Sequence, residues 1–187
     1  EGGGDFYHHV NTGKQIIEFK SFPFTDIYTH TAGGQPWIAH SCGSGIILYL
    51  LYSWFGPIGI SLLVSFTGAT TILLLYYLLR LNNVSKPISL LASAAAIGPL
   101  LTRFPNRPEI FSYSLLLSIL IVDRLRIKHP RLNLLFPVII LVWANFYGSS
   151  IIAGIGLIVI LIVKQLLSDK FRFLKPQKLF YFSALIS

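Results

Sequence analysis

The hydrophobic pattern of this chain is one of long apolar runs separated by short polar turns. The longest uncharged stretch runs from Gly43 to Leu79, broken by Gly56-Pro57. As one helix it would be about 55 Å long, against about 30 Å for the hydrocarbon core of a bilayer. The break therefore predicts an interfacial helix over 44–55, with Tyr49, Tyr52 and Trp54 at headgroup depth, and a membrane span over 57–79. Further apolar runs predict spans over 87–102, 109–122, 132–147 and 149–167, and another over 179–187. Leu134 to Val163 carries no charge, so one long tilted helix competes there with two short ones turning near Asn145 to Ser149. Two short helices are preferred, because they keep the last basic cluster on the same side as the others.

Residues 1–42 break this pattern. They hold four of the seven acids and four of the five histidines. Phe6, Val10, Ile16, Ile17 and Phe19 fall on roughly one helical face, which predicts a short amphipathic helix at the membrane surface. Ser21 to Pro36 is turn-rich, and such a segment has too few apolar residues for a core of its own.

Composition sharpens the reading. Of 187 residues, 53% are hydrophobic and only 12% charged, about half the charge of an ordinary soluble domain. Too much apolar surface remains for one soluble core to hide, so part of the solvent is lipid. The net charge of +8 does not indicate nucleic-acid binding, because the basic residues sit in the turns between apolar runs. The turns around Arg80 to Lys86, Arg124 to Arg131 and Lys164 to Lys178 carry eleven basic residues against two acids. The other side carries four against five, with Arg103 and Arg107 among them. The positive-inside rule then puts the three basic turns in the cytoplasm and residues 1–42 outside it. The expected fold is an all-α polytopic transmembrane bundle with an exterior N-terminal loop. The chain has no methionine, opens in a polar run and stops in an apolar one, and so reads as an internal piece of a longer protein.

Chemistry-bearing residues concentrate outside. The segment holding Asp5, Tyr7, His8, His9, Asp26, Trp37 and His40 places acids and imidazoles beside aromatic rings, a set suited to proton transfer at a sugar hydroxyl. The simpler reading is a solvated loop. Asp5, His8, His9, Asp26, His30 and His40 are also residue types that ligate divalent metals, but no HExxH-like spacing occurs and no metal is expected. One cysteine, Cys42, allows no internal disulfide. Arg103 and Arg107 lie where positive charge is scarce, in a tight turn where guanidinium groups can clamp a phosphate. The simpler reading pairs Arg107 with Glu109 and lets Arg103 reach headgroups. Trp143 to Ser150 is expected to be a structural turn, with Trp143 and Tyr147 in an aromatic belt. No span carries a central acid or base, which speaks against an ion-coupled transporter.

At these positions the sequence resembles a bacterial family of polytopic membrane proteins related to the GT-C-fold glycosyltransferases, which include the protein O-mannosyltransferases and the aminoarabinose transferases of lipid A. The resemblance is carried by Asp5, His9 and Gly13, then Pro23, Thr25, Asp26 and Thr31, then Gly34, Pro36, Trp37 and His40. Arg107-Pro108 with Phe111, and Trp143 with Asn145 and Gly148, extend it over nearly the whole chain. It implies a bacterial inner-membrane protein making an inverting transfer of a sugar from a polyprenyl-phosphate donor on the exterior face. Asp5 matches the family's base. Arg107, with Arg103, matches the basic residues that hold the donor phosphate. Tyr7, His9, Asp26, Trp37 and His40 would bind substrate. Ser41 and Cys42 stand where the family often has an acid and a tryptophan, and Tyr147 where it commonly has a histidine. A non-catalytic carrier of lipid-linked saccharide, or an assembly scaffold, is the alternative.

Overall fold

The computed structural model describes residues 4–25, 33–36, 41–103 and 108–184, with side chains described for 6–25, 33–36, 41–102 and 108–167. The described chain is helical: α1 (Gly4–Phe19), α2 (Cys42–Leu81), α3 (Lys86–Ala95), α4 (Ile97–Arg103), α5 (Ile110–Leu125), α6 (Leu135–Phe146) and α7 (Ile151–Ala184). Short 3-10 turns at Pro130–Leu134 and Gly148–Ser150 flank α6. A single antiparallel bridge, Thr25 to Pro36, is the only β pairing among the described residues. The chain divides into two units, Glu1–Ile151 and Ile152–Ser187.

Helix α2 is two arms joined by an elbow. Gly56 has φ 59° and ψ −147°, a conformation closed to residues with a Cβ, and Pro57 follows without an N–H to continue the ladder. The bend is sharp: a Cβ on Gly59 would lie 2.5 Å from the carbonyl oxygen of Leu51. In a straight helix those two residues would be separated by about 12 Å along the axis. Cys42–Leu81 and the stretch Gly148–Leu167 are each long and apolar enough to cross a membrane. After the elbow, the arm from Pro57 to Leu81 still spans roughly 37 Å. Gly56→Ala forces a side chain into the closed conformation and should destabilise the fold by about 1–3 kcal/mol, read as a lower unfolding temperature. An unchanged temperature would show that the elbow relaxes freely.

Polarity across the first unit is inverted relative to a soluble bundle. On the long arm of α2, Ile58, Leu62, Phe66, Leu73 and Tyr77 form an exposed stripe, while Thr67 and Thr71 are buried. On α3, Ser89 and Ser93 are buried, and Ile88, Leu90 and Leu91 are exposed. Thr71 and Ser114 Oγ atoms meet at 2.8 Å between α2 and α5. Small and hydroxylated residues let helices approach closely where the surroundings are as apolar as leucine. The exposed stripe from Ile58 to Tyr77 is roughly 29 Å long, close to a bilayer core.

Several boundaries differ from expectation. The run over 87–102 forms two short helices that meet at Ala96, because Pro99 offers no N–H to the carbonyl of Ala95. The runs over 132–147 and 149–167 separate at Tyr147, whose backbone is extended (φ −154°, ψ 82°). Over its described residues the second unit is a single helix: α7 continues to Ala184, through the turn expected between 167 and 179. Its first half, Ile152 to Leu167, exposes large aliphatic residues at half of its positions.

Helix α1 is amphipathic, but its buried face is not the expected one. Phe6, Val10 and Gly13 face α2, whereas Ile17 is 40% and Phe19 72% exposed. Phe6 and Val10 form a core with Leu48 and Ile60 from the two arms of α2. The backbones touch at Gly13 and Gly45, where a Cβ on Gly13 would lie 2.0 Å from the Gly45 carbonyl oxygen. That glycine pair sets the crossing point and selects which residues of α1 are covered.

Candidate functional site

The sequence-predicted residues divide between described and undescribed positions. Asp5 lies in the first turn of α1, and Asp5 and His9, four apart, occupy one face of that helix. Tyr7 is 52% exposed, with its ring edge-on to Phe6 at 5.3 Å. His9 is half-buried, and its carbonyl lies at the α1–α2 contact beside Gly45. Arg103 closes α4. Asp26, Trp37, His40 and Arg107 lie outside the described residues, as do the side chains of Asp5 and Arg103.

A chain of contacts joins α1 to the far end of the arginine turn. A methyl group on Gly43, just before the Gly45 crossing, would lie 3.1 Å from the Asn145 carbonyl and 3.2 Å from the Phe146 ring. The Phe146 ring stands edge-on to Phe111 at 4.8 Å. Phe111 sits at the start of α5, three residues after Pro108, whose ring is fully buried. So α1, the start of α2, the end of α6 and the start of α5 share one end of the first unit. The other end is basic. There Arg124, in the last turn of α5, donates to the side-chain oxygen of Asn82, just past α2.

An open groove of about 200 Å³ runs between α2, α5 and α6 from the α1 end. Phe66, Phe111 and Phe146 form its walls, with Thr67, Thr70 and Ser114 between them. Two of these hydroxyls are already occupied: Thr67 donates to the Leu63 carbonyl at 2.8 Å, and Ser114 is bonded to Thr71. The groove wall is therefore apolar in effect despite its composition. It is smaller than the roughly 300–1,000 Å³ of a site enclosing a drug-sized ligand. It suits a stretch of hydrocarbon chain, and its lining has no ionisable group for acid–base chemistry.

Trp143 corrects an expectation. It is 1% exposed, not part of an aromatic belt. Its indole N–H donates to Ser150 Oγ at 2.7 Å and lies 3.1 Å from Ser112 Oγ, and the two hydroxyls are 2.7 Å apart. This network ties the end of α6 to the start of α5. Glu109 accepts from the Tyr113 hydroxyl at 3.1 Å. At the C-terminal end of α1, Glu18 accepts a 2.5 Å hydrogen bond from Tyr49 and lies 3.9 Å from Lys14. Among the described residues, no three His, Cys, Asp or Glu side chains converge as a metal site would need.

The groove and the serine–tryptophan network were not anticipated. Hydroxyls four apart within apolar runs, Thr67 with Thr71 and Ser114 with Ser118, are a signal that could have marked the groove, since such residues mark helix interfaces in lipid. Comparison with protein-family models, with curated proteins and with solved structures returns no match for this chain.

Proposed function

We propose that this chain is part of a polytopic membrane glycosyltransferase that moves a sugar from a polyprenyl-phosphate donor to an acceptor on the exterior face of a bacterial inner membrane. One observation carries the reading. The helix bearing Asp5, Tyr7 and His9 is docked at the end of the unit where a chain-sized apolar groove begins, opposite the basic end. The inverted polarity of the bundle and the charge asymmetry of its turns support membrane embedding with α1 outside.

In this mechanism the groove holds part of the donor's isoprenoid chain. Asp5 takes the proton of the acceptor hydroxyl as its oxygen attacks the anomeric carbon. The bond from that carbon to the phosphate oxygen breaks with inversion, and polyprenyl phosphate leaves. Arg107, with Arg103 and His40, neutralises the charge growing on the leaving phosphate. Tyr7 and Trp37 stack on the sugar, and His9 and Asp26 bind its hydroxyls.

Asp5→Asn in the full-length protein removes the base and should lower transfer from a polyprenyl-phosphate sugar by about 10²–10⁴-fold, with donor binding retained. Transfer at the wild-type rate would overturn the mechanism. It would leave the groove to a carrier or scaffold that binds the lipid without turning it over.

A further inference from the structure

The basic end of the first unit is assembled from two turns far apart in sequence. Arg80 and Lys86 flank the α2–α3 turn; Arg124, Arg126, Lys128 and Arg131 flank the α5–α6 turn. The Arg124–Asn82 hydrogen bond joins them. The one acid in either turn, Asp123, is already taken: Arg126 binds it through two nitrogens at 2.7 and 2.9 Å. Arg126 is further held over the Phe136 ring at 5.6 Å. Arg80 donates to the Val84 carbonyl, a neutral acceptor. Among the described residues, Arg80, Lys86, Arg124, Lys128 and Arg131 form no ion pair. Five uncompensated positive charges therefore share one end of the bundle.

The surroundings of this patch decide what it fits. Ile127, beside Lys128, is 74% exposed, and Leu134, just beyond Arg131, is 73% exposed. Ile88 and Leu91 are exposed just beyond Lys86. Exposed polar residues, Asn83, Ser85, His129 and Asn133, lie among the charges, and exposed aliphatic side chains sit one to five residues from them. The complementary ligand carries a phosphate and hydrocarbon in one molecule.

We infer that the joined α2–α3 and α5–α6 turns form a binding surface for anionic phospholipid headgroups, with the phosphodiester among Lys86, Arg124, Lys128 and Arg131 and the acyl chains along the exposed aliphatic rim. Basic residues near an anionic membrane surface each add attraction that falls away within a Debye length. The surface rests on the membrane reading, but not on sugar transfer, and Asp5→Asn should leave it intact.

The test uses the detergent-purified full chain and native mass spectrometry with added phosphatidylglycerol or phosphatidylcholine. The triple variant K86Q/K128Q/R131Q removes exposed charges and spares the Arg124–Asn82 and Arg126–Asp123 contacts that shape the turns. Phosphatidylglycerol should be retained over phosphatidylcholine by wild type, and its apparent affinity should fall at least tenfold in the triple variant. The matched variant K14Q/K20Q, at the other end, should match wild type. Millimolar inorganic phosphate should not displace the lipid. Equal retention of the two lipids, an unaffected triple variant, an equal loss in the matched variant, or displacement by phosphate would each overturn the inference.

Discussion

Gly13→Ala is expected to release α1 from α2. The added methyl would sit 2.0 Å from the Gly45 carbonyl oxygen, and both partners are backbone, so no side chain can rotate away. The helices must separate by an ångström or so, and the packing of Phe6 and Val10 on Leu48 and Ile60 opens with them. Burial of each of those two side chains is worth about 1.5–3 kcal/mol, so most of the docking energy of α1 is at stake. Lys14, within α1, and Lys20, just past it, provide the readout. Trypsin should cut after them far faster in Gly13→Ala than in wild type, since cleavage needs a locally open helix. Under the proposed function, sugar transfer should fall with docking even though Asp5 is untouched. Unchanged cleavage would mean that the crossing tolerates a methyl group and that the glycine pair does not hold α1.

Trp143→Ala should produce the largest loss of stability of any single change in the bundle. The side chain is almost wholly buried, and truncating a buried tryptophan costs about 3–5 kcal/mol through lost contacts and the cavity left behind. Trp143→Phe separates packing from hydrogen bonding. It keeps most of the volume and removes the donor shared by Ser112 and Ser150, which still bond each other at 2.7 Å. Because the two hydroxyls can satisfy one another, Trp143→Phe should cost only about 1 kcal/mol. Thermal unfolding in detergent, followed by helical circular dichroism, would rank the two. If phenylalanine proved as damaging as alanine, the indole N–H would be the essential part and the packing secondary.

These two sites also show how far a linear reading reaches. Helix locations were legible because they depend on local properties: run length, apolar content and the residues that break a helix. Gly56-Pro57 interrupts α2 for reasons written into those two residues, a backbone conformation open to glycine and a missing N–H. The concentration of acids and histidines in residues 1–42, and of basic residues in alternate turns, is likewise a property of the string.

What packs against what was decided in three dimensions. Periodicity ranked Ile17 and Phe19 with Phe6 and Val10 on α1, since all are apolar and similarly spaced. The backbone contact at Gly45 covers only the residues near Gly13, and Phe19 is left outside. Trp143 reads as an interface anchor by type, yet Ser150 in the following turn and Ser112 from α5, 31 positions back, supply the partners that let its N–H be buried. Asn82 and Arg124 stand 42 positions apart, and nothing local says that their turns meet. Local chemistry sets most helix ends, though α7 runs through the turn expected between 167 and 179; long-range contacts choose the faces, because a face is defined only once a neighbour is in place.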